Sequence, residues 1–415
     1  MRKAFKINDT EIVYDSRYHI FGEKKLIENF PENDDKLDCV INDDRKIVEI
    51  RIHISNRCLL ACSYCYLNGM DWKGRDLTFG DLDKVCDYIE NNPFIQDGCT
   101  ISFLGAEPID EFEKVKYLVE KLKKGKKEYG FAISTNGYSL TKTIIEYLKY
   151  NKFNVVISLD GDKDVQNYFR RTKGNEETYD TIINNIQEMR KLNLSFDIQS
   201  VITRETFDII KNTTHHEQLC PRSIKYYYEV SDAEWSKKQI ELIIVEVEKL
   251  WEYFRKSILT EKPVHLFHNI SILRRIHSGE KRVYHCGSGK STLYIGNDLK
   301  VYPCNMIAYN GESLFDINKN DSADSIDNLK YYELNVDKCL KCSECWAKYF
   351  CGGKCEANKA DICEIIRYDI MQGLYTYMYL YNTVPNKLEN LLNIKRKVNT
   401  QGYIRKIADD LKIVI

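Results

Sequence analysis

The chain has 415 residues, 43% of them apolar, and sets 61 lysines and arginines against 62 aspartates and glutamates, for a formal charge of −1. That length is roughly two to three domains' worth of material, and the balanced charge provides no electrostatic field for nucleic acid or an anionic membrane. The start, Met1-Arg2-Lys3-Ala4-Phe5-Lys6, develops no apolar signal stretch, and no apolar run approaches the ~18 residues of a membrane span, so a cytoplasmic protein without nucleic-acid or membrane partners is expected.

Residues 1–47 read as a mixed lead-in with β-rich character. From residue 48, β-branched or aromatic runs alternate with amphipathic stretches, the signature of βαβ units and a parallel sheet. The expected strands are 48–55, 100–105, 130–135, 154–159, 196–203 and 224–230, enough for a partial (β/α)6 barrel. Between them Leu82, Val85, Cys86 and Ile89 share one helical face, as do Phe112, Val115, Val119 and Leu122, and Ile182, Ile186 and Met189. A long helix is expected at 233–256. Beyond about residue 264 the alternation fades into glycine, asparagine, aspartate and cysteine, and helical sequence returns from Glu364. The organisation expected is therefore a lead-in at 1–47, an α/β domain at 48–262, a small loop-rich, cysteine-rich domain at 263–385 and a tail at 386–415.

The 15 cysteines are the anomaly. Their odd number without a secretion signal argues against a disulfide framework and for metal. A loop-rich cysteine domain buries little apolar surface per residue and needs metal to hold it. In parallel α/β folds ligands gather at the carboxyl ends of the strands. There the sequence places Cys58, Cys62 and Cys65 with Tyr64, then Gly105-Ala106-Glu107-Pro108, Ser134-Thr135-Asn136-Gly137 and Ser158-Leu159-Asp160-Gly161. Three thiolates can hold three irons of a cubane cluster and leave the fourth open to an added ligand; the same three with His53 would also make a zinc knuckle.

The Cys-x3-Cys-x2-Cys spacing, the aromatic residue before its last cysteine and its place after a first barrel strand resemble the radical S-adenosylmethionine superfamily. The resemblance implies that Cys58, Cys62 and Cys65 ligate a [4Fe–4S] cluster whose open iron binds S-adenosylmethionine, which on reduction yields methionine and a 5′-deoxyadenosyl radical. It puts Tyr64 near the adenine. Gly105-Ala106-Glu107 resembles the segment that binds the methionine amino group, with Ala106 in place of a second glycine. Ser134, Asn136, Ser158 and Asp160 stand where the family reads the ribose and methionine carboxylate, and Arg171 resembles a position that pairs with that carboxylate. Each of these polar residues also has an ordinary reading as a turn residue. Leu59 departs from the asparagine many relatives carry there.

The second array, Cys342-x2-Cys345-x5-Cys351-x3-Cys355 with Cys363 beyond, resembles the SPASM extension of radical enzymes that modify peptides, and Cys286 and Cys304 match its opening half. Leu299 occupies a glycine position of that extension, which leaves the turn geometry open. The resemblance implies two auxiliary [4Fe–4S] clusters, three in all. Cys286, Cys304 and Cys355 would hold the first, with Cys339 completing it or the last iron left open, and Cys342, Cys345, Cys351 and Cys363 the second. Four-cysteine zinc ribbons are the competing reading. Cys39, Cys99 and Cys220 are expected to be small buried hydrophobes, like Cys86, and His215-His216-Glu217 to be surface.

The function implied is a maturase that abstracts a hydrogen atom from a residue of a ribosomally made precursor peptide, leading to a thioether or carbon–carbon cross-link or an oxidation, with flavodoxin or ferredoxin as electron donor. Sulfatase maturases share the plan but carry an aspartate base directly after the second auxiliary cysteine; here that residue is Asn305, which cannot act as a carboxylate base. A non-catalytic iron–sulfur carrier or zinc-stapled module is the alternative from another class.

Overall fold

The computed structural model describes residues 2–7, 10–16, 19–23, 27, 46–67, 75–205, 208–229, 234–308, 313–319, 331, 335–355, 357 and 360–393. Cys39 and the end of the expected tail lie outside them. The lead-in forms three antiparallel strands, β1 (Arg2–Ile7), β2 (Thr10–Asp15) and β3 (Ile20–Glu23). The expected α/β region follows as β4 (Ile47–Ser55), β5 (Ile95–Gly105), β6 (Tyr129–Thr135), β7 (Asn154–Ser158), β8 (Phe196–Ile202) and β9 (Ser223–Tyr228). These strands pair in parallel, each with the next in sequence. β5 begins earlier than expected because Ile95 already pairs with Ile47.

Helices α1 (Phe79–Asn91), α2 (Phe112–Leu122), α3 (Lys142–Tyr150), α4 (Lys163–Phe169), α5 (Tyr179–Lys191) and α6 (Ile209–Gln218) provide the crossovers. Thr78 starts α1 with a capping box, its hydroxyl accepting from the Asp81 N–H while Asp81 accepts from the Thr78 N–H. The expected apolar faces are buried, Cys86 among them.

Strand alternation divides the sheet into two chemically different faces. Ile50, Ile52, Ile54, Ile101, Phe103, Ile133, Val155, Ile157 and Ile198 point to the helices and form the core. The other face carries Glu49, Arg51 and His53 on β4, Ser102 on β5, Ser134 on β6, Ser158 on β7, Gln199 on β8 and Lys225 on β9, as the pairing register requires. A parallel sheet normally buries apolar residues on both faces, so a polar face marks the side that lines a site.

Helices α7 (Lys237–Ile258) and α8 (Phe267–Ser278) lead onward. The sheet then continues beyond the α/β region: β10 (Thr292–Ile295) pairs in parallel with β4, and β11 (Lys300–Tyr302) and β12 (Phe315–Asp316) add antiparallel strands. At the β10–β11 turn Leu299 takes a left-handed φ of 60°, so the turn keeps the backbone a glycine would favour. The cost of that conformation, about 1–2 kcal/mol, is offset by burying the side chain.

The remaining helices are α9 (Leu340–Ser343), α10 (Lys348–Cys351), α11 (Cys363–Thr383) and α12 (Pro385–Leu392). Trp251 of α7 and Leu374 and Tyr377 of α11 share a core with Phe5, Tyr14 and Phe21 of the amino-terminal sheet. Phe5 packs against Trp346 with ring centres 4.6 Å apart, and Tyr14 against Phe350 at 5.1 Å, both with tilted ring planes. The lead-in is thus packed onto the cysteine-rich region. Among the described residues no helix is long and apolar enough to cross a membrane.

Candidate functional site: three thiols at the strand ends

The chain leaves β4 at Ser55 and turns into the Cys58–Cys65 loop, which is laced to the segment after α4. Ala61 N donates to Arg171 O at 2.7 Å, Ser63 N to Phe169 O at 2.9 Å and Lys173 N to Leu59 O at 2.8 Å, and Leu60 bridges Thr172. Backbone bonds therefore place the three thiols before any metal arrives. Cys62 lies within electrostatic reach of both Cys58 and Cys65. Burial pushes the Cys58 thiol up to about 12, so a metal must displace its proton on binding.

The donor set fits an iron–sulfur cluster. Cys58 Sγ accepts from Leu60 N at 3.4 Å and Asn136 Nδ2 at 3.6 Å, and Arg170 Nη1 stands 4.0 Å from Cys62 Sγ; such N–H groups aimed at sulfur tune these clusters. His53 does not complete a zinc knuckle here. Its ring nitrogens bond Tyr294 Oη at 2.6 Å and Asn56 Oδ1 at 2.8 Å, and burial lowers its pKa to about 4.

Gly105 and Glu107 shape the next strand end. Gly105 has φ of 135°, and a Cβ there would sit 2.7 Å from Ser55 O, so the close approach of β5 to β4 demands glycine. Ala106 is not among the residues with positive φ, so its Cβ is tolerated, and its N–H donates to Ser55 O at 2.8 Å. Glu107, 1% exposed, accepts from Ile109 N at 3.0 Å, Thr135 Oγ1 at 2.7 Å and Asn136 N at 2.7 Å. Burial outweighs these donors and raises its pKa to about 7. The carboxylate pins the β5 and β6 ends together and so aims the Asn136 amide at Cys58.

Asp160, after β7, is also 1% exposed. It accepts from the Tyr64 hydroxyl, Val201 N at 3.0 Å and Arg170 Nε at 2.8 Å. Tyr64, Asp160 and Asn136 thus converge around the thiols. Ser134 is exposed and Ser158 half-buried on the polar face. Arg171 is not in this cluster: its Nη1 donates to Asn175 O at 3.0 Å. Arg170, absent from the sequence reading, takes the central position instead. The signal available was the Arg170-Arg171 pair itself, with the choice between them set by the direction in which each side chain leaves the segment laced to the cysteine loop.

The other cysteines form two neighbourhoods. The loop after Cys286 is tied to the one before Cys304 by Gly289 N to Pro303 O at 3.1 Å, and His285 Nδ1 lies 2.8 Å from Gly353 O, joining it to the Cys355 loop. Ile307 N donates to Cys304 Sγ at 3.4 Å. Gly352, at φ of 77°, lies so close to the Tyr284 carbonyl that a Cβ would overlap it. In the second neighbourhood the Cys342 thiol faces Cys339, Cys351 and Cys363, and Cys351 faces Cys345. Cys339, which the sequence offered as one way to complete the Cys286 set, the other being an open iron, stands beside Cys342.

Two minor expectations are corrected. His216 is fully buried, because Asn212 and His216 lie one turn apart on the inner face of α6; its ring nitrogens have no hydrogen-bond partner among the described residues. Cys220 is exposed, at a left-handed φ of 53° after α6, near Arg190.

Residues 52–215 match the family described as "Radical SAM superfamily". Over that segment the chain carries a radical SAM domain, which implies S-adenosylmethionine and a [4Fe–4S] cluster, and the protein is an enzyme. It is 22% identical over 376 residues to a cysteine-type anaerobic sulfatase-maturating enzyme of Clostridium perfringens, covering 81% of this chain and 97% of that protein. It is 23% identical over 377 residues to the radical SAM cyclopropyl synthase TigE of Paramaledivibacter caminithermalis, covering 84% of this chain and 76% of that protein. Among solved structures, native anSMEcpe with bound AdoMet superposes with a TM-score of 0.69 at 18% identity, covering 81% of this chain and 99% of that one. Streptococcus suis SuiB bound to its precursor peptide SuiA gives 0.57 at 16% identity, covering 88% and 100%.

Proposed function

We propose that the protein is a maturase that abstracts a hydrogen atom from a residue of a ribosomally made peptide, leading to a thioether or carbon–carbon cross-link or an oxidation. Cys58, Cys62 and Cys65 hold the cluster that binds S-adenosylmethionine, Cys286, Cys304 and Cys355 a first auxiliary cluster that either Cys339 completes or one open iron leaves incomplete, and Cys342, Cys345, Cys351 and Cys363 a second. S-adenosylmethionine, when bound and reduced, supplies a 5′-deoxyadenosyl radical, and flavodoxin or ferredoxin supplies the electron. Gly105, Ala106, Glu107, Ser134, Asn136, Ser158 and Asp160 line the cofactor's place, with Tyr64 at the adenine.

The observation that carries the choice of substrate chemistry is Asn305. It follows Cys304 and its Nδ2 donates to Tyr66 Oη at 3.2 Å, so the loops after Cys65 and Cys304 meet through an amide and a phenol. An amide cannot take the substrate proton that a carboxylate would. The peptide lies on the polar sheet face between these loops, where Arg51 is close to Cys304 and Tyr227. The strands β1–β3 offer an edge to which a leader peptide adds.

The sulfatase-maturase reading draws on the anSMEcpe fold, and one assay separates the two. Given the Cp18Cys peptide named with the peptide-bound anSMEcpe structure, the reconstituted enzyme is expected to leave the cysteine unchanged by mass spectrometry. Conversion of that thiol to an aldehyde would favour the sulfatase-maturase reading.

A further inference from the structure

Arg170 is 8% exposed and sits where the cysteine loop, the β7 end and the segment after α4 meet. Its guanidinium serves two partners from different edges. Nε and Nη2 face Asp160 at 2.8 and 3.4 Å, and Nη1 points to Cys62 Sγ at 4.0 Å. The plane also lies 5.2 Å from the centre of the Tyr64 ring, and Tyr64 donates to the same Asp160 carboxylate. The surroundings fix this arrangement. Asp160 N donates to Gln166 Oε1 at 3.0 Å, Ser200 Oγ to Asp160 O at 3.1 Å, and Thr178 Oγ1 to Arg170 O at 2.6 Å.

We propose that Arg170 is a positioning residue that sets the charge beside Cys62 and holds Asp160 and Tyr64 in register with the iron-binding thiols. The inference rests on the assignment of a [4Fe–4S] cluster to Cys58, Cys62 and Cys65. A cluster gains negative charge when it takes an electron, and a cation at its sulfur stabilises that state. Arg170 and Asp160 together are neutral, but they form a dipole with its positive end at the sulfur. The two partners therefore act on the cluster in opposite directions. Removing the guanidinium leaves a buried carboxylate facing the thiol and makes the cluster harder to reduce. Neutralising the carboxylate leaves the cation uncompensated and makes reduction easier. A planar guanidinium presents a separate edge to each partner, whereas an ammonium keeps the charge but not the fork.

The test is a potentiometric titration with titanium(III) citrate on the full-length reconstituted protein. It follows the low-temperature electron paramagnetic resonance signal that changes when S-adenosylmethionine is added, which separates this cluster from any other. Arg170→Gln is expected to shift the midpoint to more negative potential, with at least threefold less reduced cluster at the wild-type midpoint. Asp160→Asn is expected to shift it the other way, and Arg170→Lys to recover at least half of the Arg170→Gln shift. If Arg170→Gln fails to retain iron, the sign of the Asp160→Asn shift decides. Shifts of the same sign in Arg170→Gln and Asp160→Asn, or none in either, would overturn the inference. A wild-type protein that assembles no cluster responsive to S-adenosylmethionine would instead remove the cluster assignment, and the inference with it.

Discussion

The loop bearing Cys58, Cys62 and Cys65 is held by the fold around it, through the bridge of Leu60 to Thr172 and the Glu107 clamp on Thr135 and Asn136. The cysteines from 339 to 363 sit on different ground. Helices α9 and α10 have 4 residues each, too short to persist alone, and their thiols are largely one another's neighbours. What anchors them besides thiol chemistry is an aromatic patch, Trp346, Tyr349 and Phe350, against the amino-terminal sheet. The contrast teaches that, if both arrays hold metal as proposed, its removal is expected to cost the first array chemistry and the second array structure.

The largest expected effect follows from this difference. Replacing Cys342 and Cys345 together by alanine is expected to make the 335–393 region cleavable by trypsin and to lower the melting temperature of the holoenzyme. The Cys58/Cys62/Cys65→Ala variant is expected to melt close to wild type. Equal melting of the two variants, read by calorimetry and limited proteolysis, would erase the distinction. Next comes the aromatic anchor. Trp346→Ala is expected to cost about 3–5 kcal/mol and to raise trypsin cleavage of the β1–β3 sheet; denaturant titration with no loss would show that the lead-in is not held there.

A smaller effect distinguishes the helical scaffold. Asp369 on α11 is half-buried and accepts from Trp251 Nε1 at 2.6 Å, and the loss of hydration around it raises its pKa to about 6. A carboxyl whose folded value is raised contributes stability at low pH and loses it as pH rises from the unfolded value toward 6. That loss is on the order of 3 kcal/mol between pH 4 and 7. Asp369→Asn keeps an acceptor for Trp251 and is expected to flatten this part of the pH–stability curve, checked by urea denaturation across that range. The smallest effect is the α1 cap, where Thr78→Ala is expected to cost about 1 kcal/mol.

Much of this arrangement was legible beforehand, for reasons that also mark where reading stopped. The strands were visible because β-branched runs alternate with helical apolar spacing, and each expected strand is present with shifted ends. Cys58, Cys62 and Cys65 were visible because three close ligands need little tertiary information. Arg170 was not, since which of two adjacent arginines faces the thiols depends on hydrogen bonds to a loop more than a hundred residues earlier in the chain. Buried His216 was hidden because a histidine with a polar neighbour on each side reads as surface, and only the packing of α6 decides. The left-handed Leu299 shows the converse. A turn kept its backbone although the residue that favours it was absent, because burying leucine offsets the strain. Residues 1–47 read as a separate lead-in because nothing local in sequence reveals that Phe5 and Tyr14 pack against Trp346 and Phe350.

The measurement that bears most directly on the account is the yield of 5′-deoxyadenosine. The protein, reconstituted anaerobically with iron and sulfide, would be given S-adenosylmethionine and dithionite, beside the Cys58/Cys62/Cys65→Ala variant. The account predicts 5′-deoxyadenosine from wild type and none from the variant. Equal amounts from both, or none from a wild type with its iron–sulfur clusters assembled, would contradict the assignment of the radical-generating centre to these three cysteines.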